Sequence, residues 1–519
     1  MSDTVLSDDQ LDHIRHFDNL SRRLPHDWSL MDGKGVGQDD FGGYRFQLAY
    51  MVYALALTHR NRLPAAPGLF QPIVQRLIGK LLEPDVWMYW RDTSQGGAPF
   101  NAHLRGQLRE EWDPVVRDNI MYSAYVQSCA LLHDYLFNSD RYARPDALTF
   151  QHSTFFWGEP KRFGYDRDSL NEHIYWQMVQ NGYLGVACEP NCVFQICNQP
   201  AILGFRLHDL ITGGSRAEEV VAGYEKAWAD FGRLDETGHY NMMVLEDSKM
   251  LRPNETGSAW IDAWCGTLMN MWNHEFVREH YPRQLADLLV HEPGGSVSVR
   301  PTPRAQNGLP MNYDWCDFGW TAAWTSEMGD TATRDQLLAH ADEYMAPTRT
   351  DGGLYYPRND TIYDADGHLR EVEPMTGNVL LGYARLNVPD GLWTLYNRPL
   401  DRSHFEAPTL TSVARDVDVR RAEVVDGALT VTLHRRTDLR AAETGADPDS
   451  GAGTVTVGRV LGRGRWRLTE LDGTELATVD GGTVIPSPAS PNPPARATAD
   501  GLLLNATPVE RTLVLHPAR

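Results

Sequence analysis

Two different hydrophobic patterns divide this chain at about residue 400. From about Gln47 to Arg385, apolar residues recur at three- and four-residue spacing between loops rich in Gly, Pro and Asp, which is typical of amphipathic helices. Beyond residue 400, short β-branched runs alternate with turn residues, as in antiparallel strands. About a dozen paired helices is what an (α/α)6 barrel needs. We therefore expect a mainly α protein, with an (α/α)6 barrel catalytic domain over residues 1–400 and an antiparallel β-sheet or sandwich domain over residues 401–519.

The individual elements follow from the same two periodicities. Apolar residues at helical spacing predict helices at 47–58, 69–82, 119–136, 168–182, 191–211, 217–231, 260–272, 321–328 and 333–344. Alternating β-branched runs predict strands at 428–433, 454–457, 466–469 and 512–515.

The overall charge limits the partners. The 519 residues include 69 Asp and Glu against 48 Lys and Arg, a formal net charge of -21, which would repel nucleic acid and anionic membrane surfaces. The first residues lack the basic start and apolar core of a signal peptide, and no later run approaches the length of a membrane span. We therefore expect a cytoplasmic, soluble protein with no nucleic-acid partner and no integral membrane segment.

Three of the six cysteines, Cys188, Cys192 and Cys197, lie within ten positions. Structural zinc sites usually take two close pairs of Cys or His, and no His lies within ten residues of this cluster, so no metal is predicted. The Cys-x-x-Cys spacing of a thioredoxin-like redox site is absent too. Because cytoplasmic thiols stay reduced, the sequence predicts free thiols that serve either packing or catalysis.

The Glu-Pro-Asn step that follows Cys188 predicts the start of a helix, because proline suits the first helical turn. Phe194, Cys197 and Asn198 would then share one face of that helix. Cys188 would lie in the loop before it, where exposed backbone N–H groups favour the thiolate form. Cys192 would point elsewhere, and we expect it in the core.

The same residues form a recognisable motif: Cys188-Glu-Pro-Asn, then Phe194, then Cys197-Asn198. Other segments accompany it in a fixed order: Val86-Trp87 with Trp90, Asp113-Pro114, Asn119-Ile-Met-Tyr122, Trp260-Ile261 with Ala263, Tyr281-Pro282 and Glu327-Met-Gly-Asp330. Together they resemble the linalool dehydratase/isomerase family over roughly residues 45–390, and on these motifs the chain is similar to a divergent member.

The resemblance implies an (α/α)6 barrel with the active site at its mouth and neither a metal nor an organic cofactor. It implies a lyase or isomerase that removes water from a terpene alcohol, or moves its hydroxyl group or a double bond, through a carbocation-like state. Cys188 and Cys197 are the implied acid/base pair, since charged carboxylates are costly in a dry pocket. Met121, Tyr122 and Phe194 are expected to shape the pocket for a small hydrophobic substrate.

Some positions depart from the family. Tyr125 stands where the family has an active-site His; since the pKa of tyrosine is about 10, it is a poor base at neutral pH, and we predict that it orients or assists. Trp264 stands where the family has a Tyr, and it either lines the cation or fills the core. Trp260, Asp262 and Asn198 complete the expected substrate-binding set.

The family also places an N-terminal acidic residue in the site across a subunit contact. Asp18 is the best match for that residue in this chain. A homo-oligomer is therefore left open.

Three other functions remain open. The aromatic surface of Trp264 also fits a terpene cyclase, in which a second double bond captures the cation. An (α/α)6 glycosidase or sugar epimerase would need two carboxylates across the barrel mouth, for which Glu189, Asp262, Asp317 and Glu373 are available. The third is a binding protein whose strand domain docks a partner.

Overall fold

The computed structural model describes residues 5–34, 41–96, 99–153, 158–306, 309–310, 313–439 and 453–518. Most helices precede residue 400, and the long strands follow it. A π-helical turn, Thr376–Leu380, runs directly into α14. The helices are α1 (Asp8–Ser21), α2 (Tyr44–Asn61), α3 (Pro67–Leu81), α4 (Pro84–Trp87), α5 (Tyr89–Thr93), α6 (Ile120–Leu136), α7 (Arg167–Gln180), α8 (Gln199–Thr212), α9 (Arg216–Phe231), α10 (Ala259–Met269), α11 (His274–Leu288), α12 (Asp317–Met328), α13 (Thr331–Tyr344), α14 (Leu381–Leu386), α15 (Gly391–Asn397) and α16 (Arg402–Glu406).

The strands form short pairs and a three-stranded sheet within the helical part, and two larger sheets after it. Those of the helical part are β1 (Leu148–His152), β2 (Lys161–Tyr165), β3 (Cys192–Phe194), β4 (Met243–Leu245), β5 (Met250–Arg252), β6 (Leu289–His291), β7 (Val297–Val299), β8 (Ala305–Gln306), β9 (Leu309–Pro310), β10 (Thr348–Thr350) and β11 (Gly353–Tyr355). Those of the C-terminal part are β12 (Thr409–Val413), β13 (Val417–Val425), β14 (Ala428–Arg435), β15 (Thr454–Gly458), β16 (Trp466–Glu470), β17 (Glu475–Asp480), β18 (Thr483–Pro486), β19 (Ala495–Ala497), β20 (Leu502–Asn505) and β21 (Arg511–Pro517).

Six helices contact one another in a closed sequence. α2 contacts α6, followed by α8, α10, α12 and α14, and α14 returns to α2. A second set lies against these: α3 on α2, α7 on α6, α9 on α8, α11 on α10, α13 on α12 and α1 on α14. The sequence explains the two sets, since α2 is buried on all sides from Tyr44 to His59, whereas α9 buries a narrow apolar stripe.

Most of the predicted elements are confirmed. The helices expected at 47–58, 69–82, 119–136, 168–182, 217–231, 260–272, 321–328 and 333–344 appear as α2, α3, α6, α7, α9, α10, α12 and α13. In the part of the chain that the structure describes, no helix combines the length and the hydropathy needed to cross a bilayer.

The predicted helix over 191–211 starts too early. Residues Cys192–Phe194 form β3, which pairs with β4, and a 3₁₀ turn, Ile196–Asn198, precedes α8. α8 begins at Gln199, and Pro200 rather than Pro190 occupies its first turn. The thiol segment is therefore a strand and a turn.

A tight turn replaces the expected helix start. Asn191 adopts a left-handed φ of 73°, which Asn tolerates better than most residues. The Cys188 N–H donates to the Cys192 carbonyl at 2.9 Å, and the Cys192 N–H donates to the Glu189 carbonyl at 2.9 Å. This turn sends the chain back into the short sheet of β3, β4 and β5.

The C-terminal part is antiparallel, as expected. The predicted strands at 428–433, 454–457, 466–469 and 512–515 are confirmed as β14, β15, β16 and β21. One sheet has the order β12-β15-β20-β19 and the other β13-β14-β21-β16-β17-β18. β12 lies against α3 and β13 against α1, where Arg15 binds Asp418 at 2.7 Å, both side chains being buried.

Asp18 lies in an ion-pair cluster beside this junction. Its carboxylate binds Arg22 at 2.8 Å and Arg76 at 2.5 Å, and Arg415 Nε lies 3.6 Å away. The structure therefore gives Asp18, the best match for the family's N-terminal acidic residue, three arginine neighbours.

Candidate active site

Cys188 and Cys197 lie side by side in the interior. They are 5% and 2% exposed, and each thiol shifts the pKa of the other. Cys197 Sγ lies 3.2 Å from Met121 Sδ on α6, and Cys188 Sγ lies 3.4 Å from Glu189 Oε1. The structure thus brings together the two thiols that the sequence singles out, with Met121 beside them.

Asn198 holds the two thiol-bearing segments together. Its Oδ1 accepts from the Val186 N–H at 2.8 Å, and its Nδ2 donates to the carbonyls of Val186 at 3.1 Å and Phe194 at 3.0 Å. Gly185 makes room for this side chain: its φ is 126°, and a Cβ there would lie 2.6 Å from Asn198 Nδ2. Asn198, expected to bind substrate, instead uses its amide to position the thiols.

Burial raises the pKa of both thiols above the ordinary value near 9. An interaction between the two thiols raises the pKa of Cys188 further and lowers that of Cys197. The positive charge of Arg45 lowers both pKa values, but by less than burial raises them. The expectation of a thiolate at a helix start is therefore wrong, because α8 starts only at Gln199 and both thiols are buried.

Cys192 is separate from this pair. It is buried with Met243 and Leu245 in a small cluster of its own, which confirms the expected packing role. Phe194 packs against both this cluster and the main core, because strand alternation places it on the same side of β3 as Cys192. The helical face that would have joined Phe194 to Cys197 does not form.

An aromatic wall stands next to the thiols. The Tyr125 hydroxyl donates to the Tyr50 hydroxyl at 3.4 Å, and Trp264 Nε1 donates to the same oxygen at 2.6 Å. The Phe46 ring presents an edge-to-face contact to Tyr125 at 5.9 Å and to Trp264 at 5.6 Å. Tyr125 lies one turn after Met121 on α6, and Met121 Sδ is 3.2 Å from Cys197 Sγ, so the wall and the thiols are neighbours.

The wall continues over α10 and α12. Trp264 stacks on Trp320 with ring centroids 4.6 Å apart and an interplanar angle of 15°. The ring centroids of Trp260 and Phe41 lie 4.4 Å apart, so Trp260 extends the aromatic wall. Tyr50, Phe41 and Trp320 were not predicted, although the four-residue spacing of Phe46 and Tyr50 on α2 is a signal that both lie on one helical face.

Two predicted pocket residues are committed elsewhere. The Tyr122 hydroxyl donates to the Leu81 carbonyl at 2.6 Å, and its ring lies 5.8 Å from Phe150. Asp262 pairs with His239 Nδ1 at 2.5 Å and accepts from the Tyr240 N–H at 2.8 Å. Tyr122 thus ties α6 to α3, and Asp262 ties α10 to the loop before β4.

The other carboxylates named for a glycosidase are also engaged. Asp317 accepts from the Trp260 N–H at 3.0 Å and from the Thr302 N–H at 2.8 Å, so it satisfies the start of α10. Glu373 accepts from the Thr376 N–H at 3.0 Å, and burial raises its pKa to about 8. Both serve the packing of helix starts.

Arg45 is the charged residue of the site that no sequence pattern indicated. It lies in the first turn of α2 and is 2% exposed. Its guanidinium carbon is 4.2 Å from the Phe46 ring centroid and 4.2 Å from that of Tyr89. Tyr89 in turn donates to Asn119 at 2.5 Å, and the Asn119 N–H donates to the Cys188 carbonyl at 3.1 Å. Arg45 therefore adjoins both the wall and the thiols.

Comparison with known proteins places this site in a family. The model of the linalool dehydratase/isomerase family matches residues 45–362, a range that contains both thiols, Arg45 and the predicted wall residues.

Solved structures of similar outline are distant in sequence. An α-1,6-mannanase, GH76A of Salegentibacter sp. HEL1_6, is 12% identical, covering 75% of this chain and 100% of its own, with a TM-score of 0.39. An unsaturated glucuronyl hydrolase specific for heparin is 10% identical, covering 73% and 97%, with a TM-score of 0.42. Endoglucanase CelQ from Clostridium thermocellum is 10% identical, covering 99% and 92%, with a TM-score of 0.36. At these values the likeness does not indicate a shared activity.

Proposed function

Because this chain belongs to the linalool dehydratase/isomerase family, we propose that it is a cofactor-independent lyase or isomerase acting on an isoprenoid alcohol or alkene. It removes water, or moves a hydroxyl group or a double bond, through a carbocation-like state. The observation that carries the proposal is the pair of buried, neutral thiols, Cys188 and Cys197, beside an aromatic wall. Neutral acids suit a dry site better than charged carboxylates do.

The arrangement proposed for the helices is an (α/α)6 barrel. The closed sequence of contacts through α2, α6, α8, α10, α12 and α14 supplies the inner ring, and α1, α3, α7, α9, α11 and α13 supply the outer one. Residues 1–400 would then be the catalytic domain and residues 401–519 a β-rich domain packed against α1 and α3. The thiols precede α8, so the site lies at the end of the barrel where α8 begins.

The first step is loss of water. Cys197 donates its proton to the substrate hydroxyl, whose oxygen takes the place of Met121 Sδ, a weak acceptor now 3.2 Å from the thiol. The C–O bond breaks with its electron pair on oxygen, water leaves, and an allylic cation remains. Cys188 passes its proton to Cys197 and becomes the thiolate.

The second step restores both thiols. The Cys188 thiolate takes a proton from a carbon next to the cation, and the C–H electron pair becomes the new double bond. Both cysteines end protonated, so no co-reactant is consumed. If water instead adds to the other end of the allylic cation and gives its extra proton to the Cys188 thiolate, the hydroxyl group migrates and both thiols are again protonated. The faces of Phe46, Trp264 and Trp320 stabilise the cation between the steps, and each such contact is worth about 0.5–2 kcal/mol.

The Tyr50 hydroxyl orients the substrate in this scheme. It already accepts from Trp264 Nε1 and Tyr125, so its own proton is directed at a third partner. A substrate oxygen between Tyr50 and Cys197 fits that role. Tyr125 thereby assists through Tyr50, in place of acting as a base.

Cyclisation is a second outcome of the same chemistry. The stacked pair of Trp264 and Trp320, with its centroids 4.6 Å apart, offers an extended π-surface to a cation that survives long enough to meet a second double bond. A terpene cyclase would use the same two thiols, and its product would contain a ring.

Product analysis tests the proposal. Purified protein is incubated with monoterpene, sesquiterpene and diterpene alcohols and alkenes, and the products are identified by gas chromatography and mass spectrometry. The proposal predicts an alkene formed by loss of water, a migrated hydroxyl or a cyclic product from at least one chain length. No conversion of any of them, together with release of reducing sugar from a glycoside panel, would contradict it.

A further inference from the structure

Among the residues that the structure describes, Arg45 carries a buried positive charge with no carboxylate in an ion pair with it. It is 2% exposed. Among the described residues, no acceptor lies within hydrogen-bond distance of its Nε or Nη1, and no carboxylate forms an ion pair with it. Its neighbours are the rings of Phe46 and Tyr89, each 4.2 Å away.

This placement is unfavourable in the free protein. Burying an uncompensated charge costs more than two ring contacts return. The charge also lies in the first turn of α2, where the partial positive charge of the helix start repels a cation. Because the buried charge is unfavourable in the free protein, we expect a negatively charged group to compensate it when a ligand is bound.

The thiols do not supply that charge at rest. Burial keeps Cys188 and Cys197 protonated, and a thiolate exists only during turnover. With a neutral alcohol as substrate, a fixed positive charge near the wall would oppose the developing cation. With an anionic substrate the same charge is neutralised, and the cation forms in a site that is close to neutral.

We propose that Arg45 binds a carboxylate on the substrate, so that the preferred substrate is an isoprenoid carboxylic acid that also carries the reacting hydroxyl group or double bond. This rests on the proposed function. A guanidinium pairs with a carboxylate through two parallel hydrogen bonds. One arginine matches one negative charge, whereas a diphosphate would bring several.

The position of Arg45 sets the orientation of that substrate. The guanidinium covers Phe46, whose ring meets Tyr125 and Trp264. A carboxylate bound there directs the isoprenoid chain along the wall, and the reacting carbon meets the thiols. Specificity for the acid then comes from one ion pair, and specificity for length comes from the apolar surface.

Direct binding tests this without requiring turnover. Titration calorimetry on the full chain compares geranic and farnesoic acids with geraniol and farnesol, and with farnesyl phosphate. Arg45→Gln removes the charge. Arg45→Lys keeps the charge but cannot form two parallel hydrogen bonds with a carboxylate. Arg233→Gln is the matched control, since Arg233 is also buried and stacks 4.8 Å from a ring, that of Phe276.

We expect the wild type to bind an acid more tightly than the corresponding alcohol. The affinity for the acid should fall about tenfold to a hundredfold in Arg45→Gln. It should fall less in Arg45→Lys and stay unchanged in Arg233→Gln. Alcohol binding stays unchanged in Arg45→Gln. The proposal would be overturned if Arg45→Gln lost affinity for acid and alcohol equally, if it lost no affinity for the acid, or if the wild type preferred the phosphate.

A second readout separates ligand binding from a structural role. Because the free protein gains nothing from an unpaired charge, Arg45→Gln keeps or raises the melting temperature without ligand. Adding the acid should raise the melting temperature of the wild type but not that of Arg45→Gln. A lower melting temperature without ligand would contradict the proposal. Cys188→Ala, in which turnover is expected to stop, tests the role of Arg45 separately from the proposed reaction. Acid binding that persists in this variant would support the role of Arg45 even if the proposed reaction were wrong.

Discussion

The side chain of Asn198 makes two hydrogen bonds with the backbone of Val186: it accepts from the N–H at 2.8 Å and donates to the carbonyl at 3.1 Å. Val186 precedes Cys188 by two residues, and Asn198 follows Cys197 directly. The contact therefore fixes the distance between two thiols that belong to separate segments. For the proposed proton transfer between the two thiols, small displacements are costly.

Replacement of Asn198 by alanine tests this clamp. Three buried backbone groups lose their partner, so we expect the free energy of unfolding to fall by about 2–4 kcal/mol and kcat to fall by about tenfold or more. Asn254→Ala is the control, because Asn254 makes the same pair of hydrogen bonds to Ser258 in another loop. Equal loss of turnover in both variants would show that stability alone, and not the clamp, explains the effect.

The aromatic wall predicts a selective effect of Trp264→Phe. The smaller ring weakens the contact with the cation and removes the donor to Tyr50, so kcat falls by about tenfold. Trp228→Phe provides the comparison, since Trp228 is equally buried and its Nε1 donates to the Leu184 carbonyl at 2.9 Å. Both variants lose stability, by roughly 1–2 kcal/mol. If Trp228→Phe slowed turnover as much as Trp264→Phe, the wall would have no special role.

The protonation state of the thiols predicts the pH profile. The reactive pair is neutral, and burial raises the pKa of Cys188 and Cys197 above their ordinary value near 9. The neutral form is therefore fully present at neutral pH and is lost only as pH rises through the lower of the two pKa values. We expect kcat to be level from about pH 6 to 8 and to fall above about pH 9. A tenfold rise per pH unit across the neutral range would mean that a thiolate starts the reaction.

The sequence predicted the helical part well where a helix carries a clear periodicity. α1 was missed although its capping box, with Ser7 and Gln10 bonded to each other, is a local signal. α11 was missed because Pro282 within it reads as a helix break. Both errors concern helices of the outer set, where polar residues dilute the pattern.

The thiol segment shows what local rules do not reach. Pro190 favours a helix start locally, yet β3 forms because β4, which lies beyond α8 and α9, offers a pairing edge. Such pairing depends on the whole fold. The motif still singled out two thiols that the structure brings together, because it depends on residue identity and not on the secondary structure between them.

The rest of the site was hidden for a different reason. α2 is buried on every side, so its hydrophobic pattern does not tell which face meets the thiols, and Arg45 and Tyr50 passed as ordinary core positions. Met121, Tyr125, Trp260 and Trp264 were named because the resemblance aligns them with functional positions. Tyr122 and Asp262 were named in the same way, and the structure shows them hydrogen-bonded to Leu81 and His239.

The most direct measurement of the central claim is deuterium transfer by the two thiols. Wild type, Cys188→Ala, Cys197→Ala and Cys192→Ala are incubated with an accepted substrate in deuterated water, and the deuterium content of product and recovered substrate is read by mass spectrometry. Reversible proton transfer should place deuterium in the wild type and in Cys192→Ala, whose thiol lies in a separate cluster. Cys188→Ala and Cys197→Ala should each lose both turnover and deuterium. Turnover and labelling that persist unchanged in both variants would contradict the account.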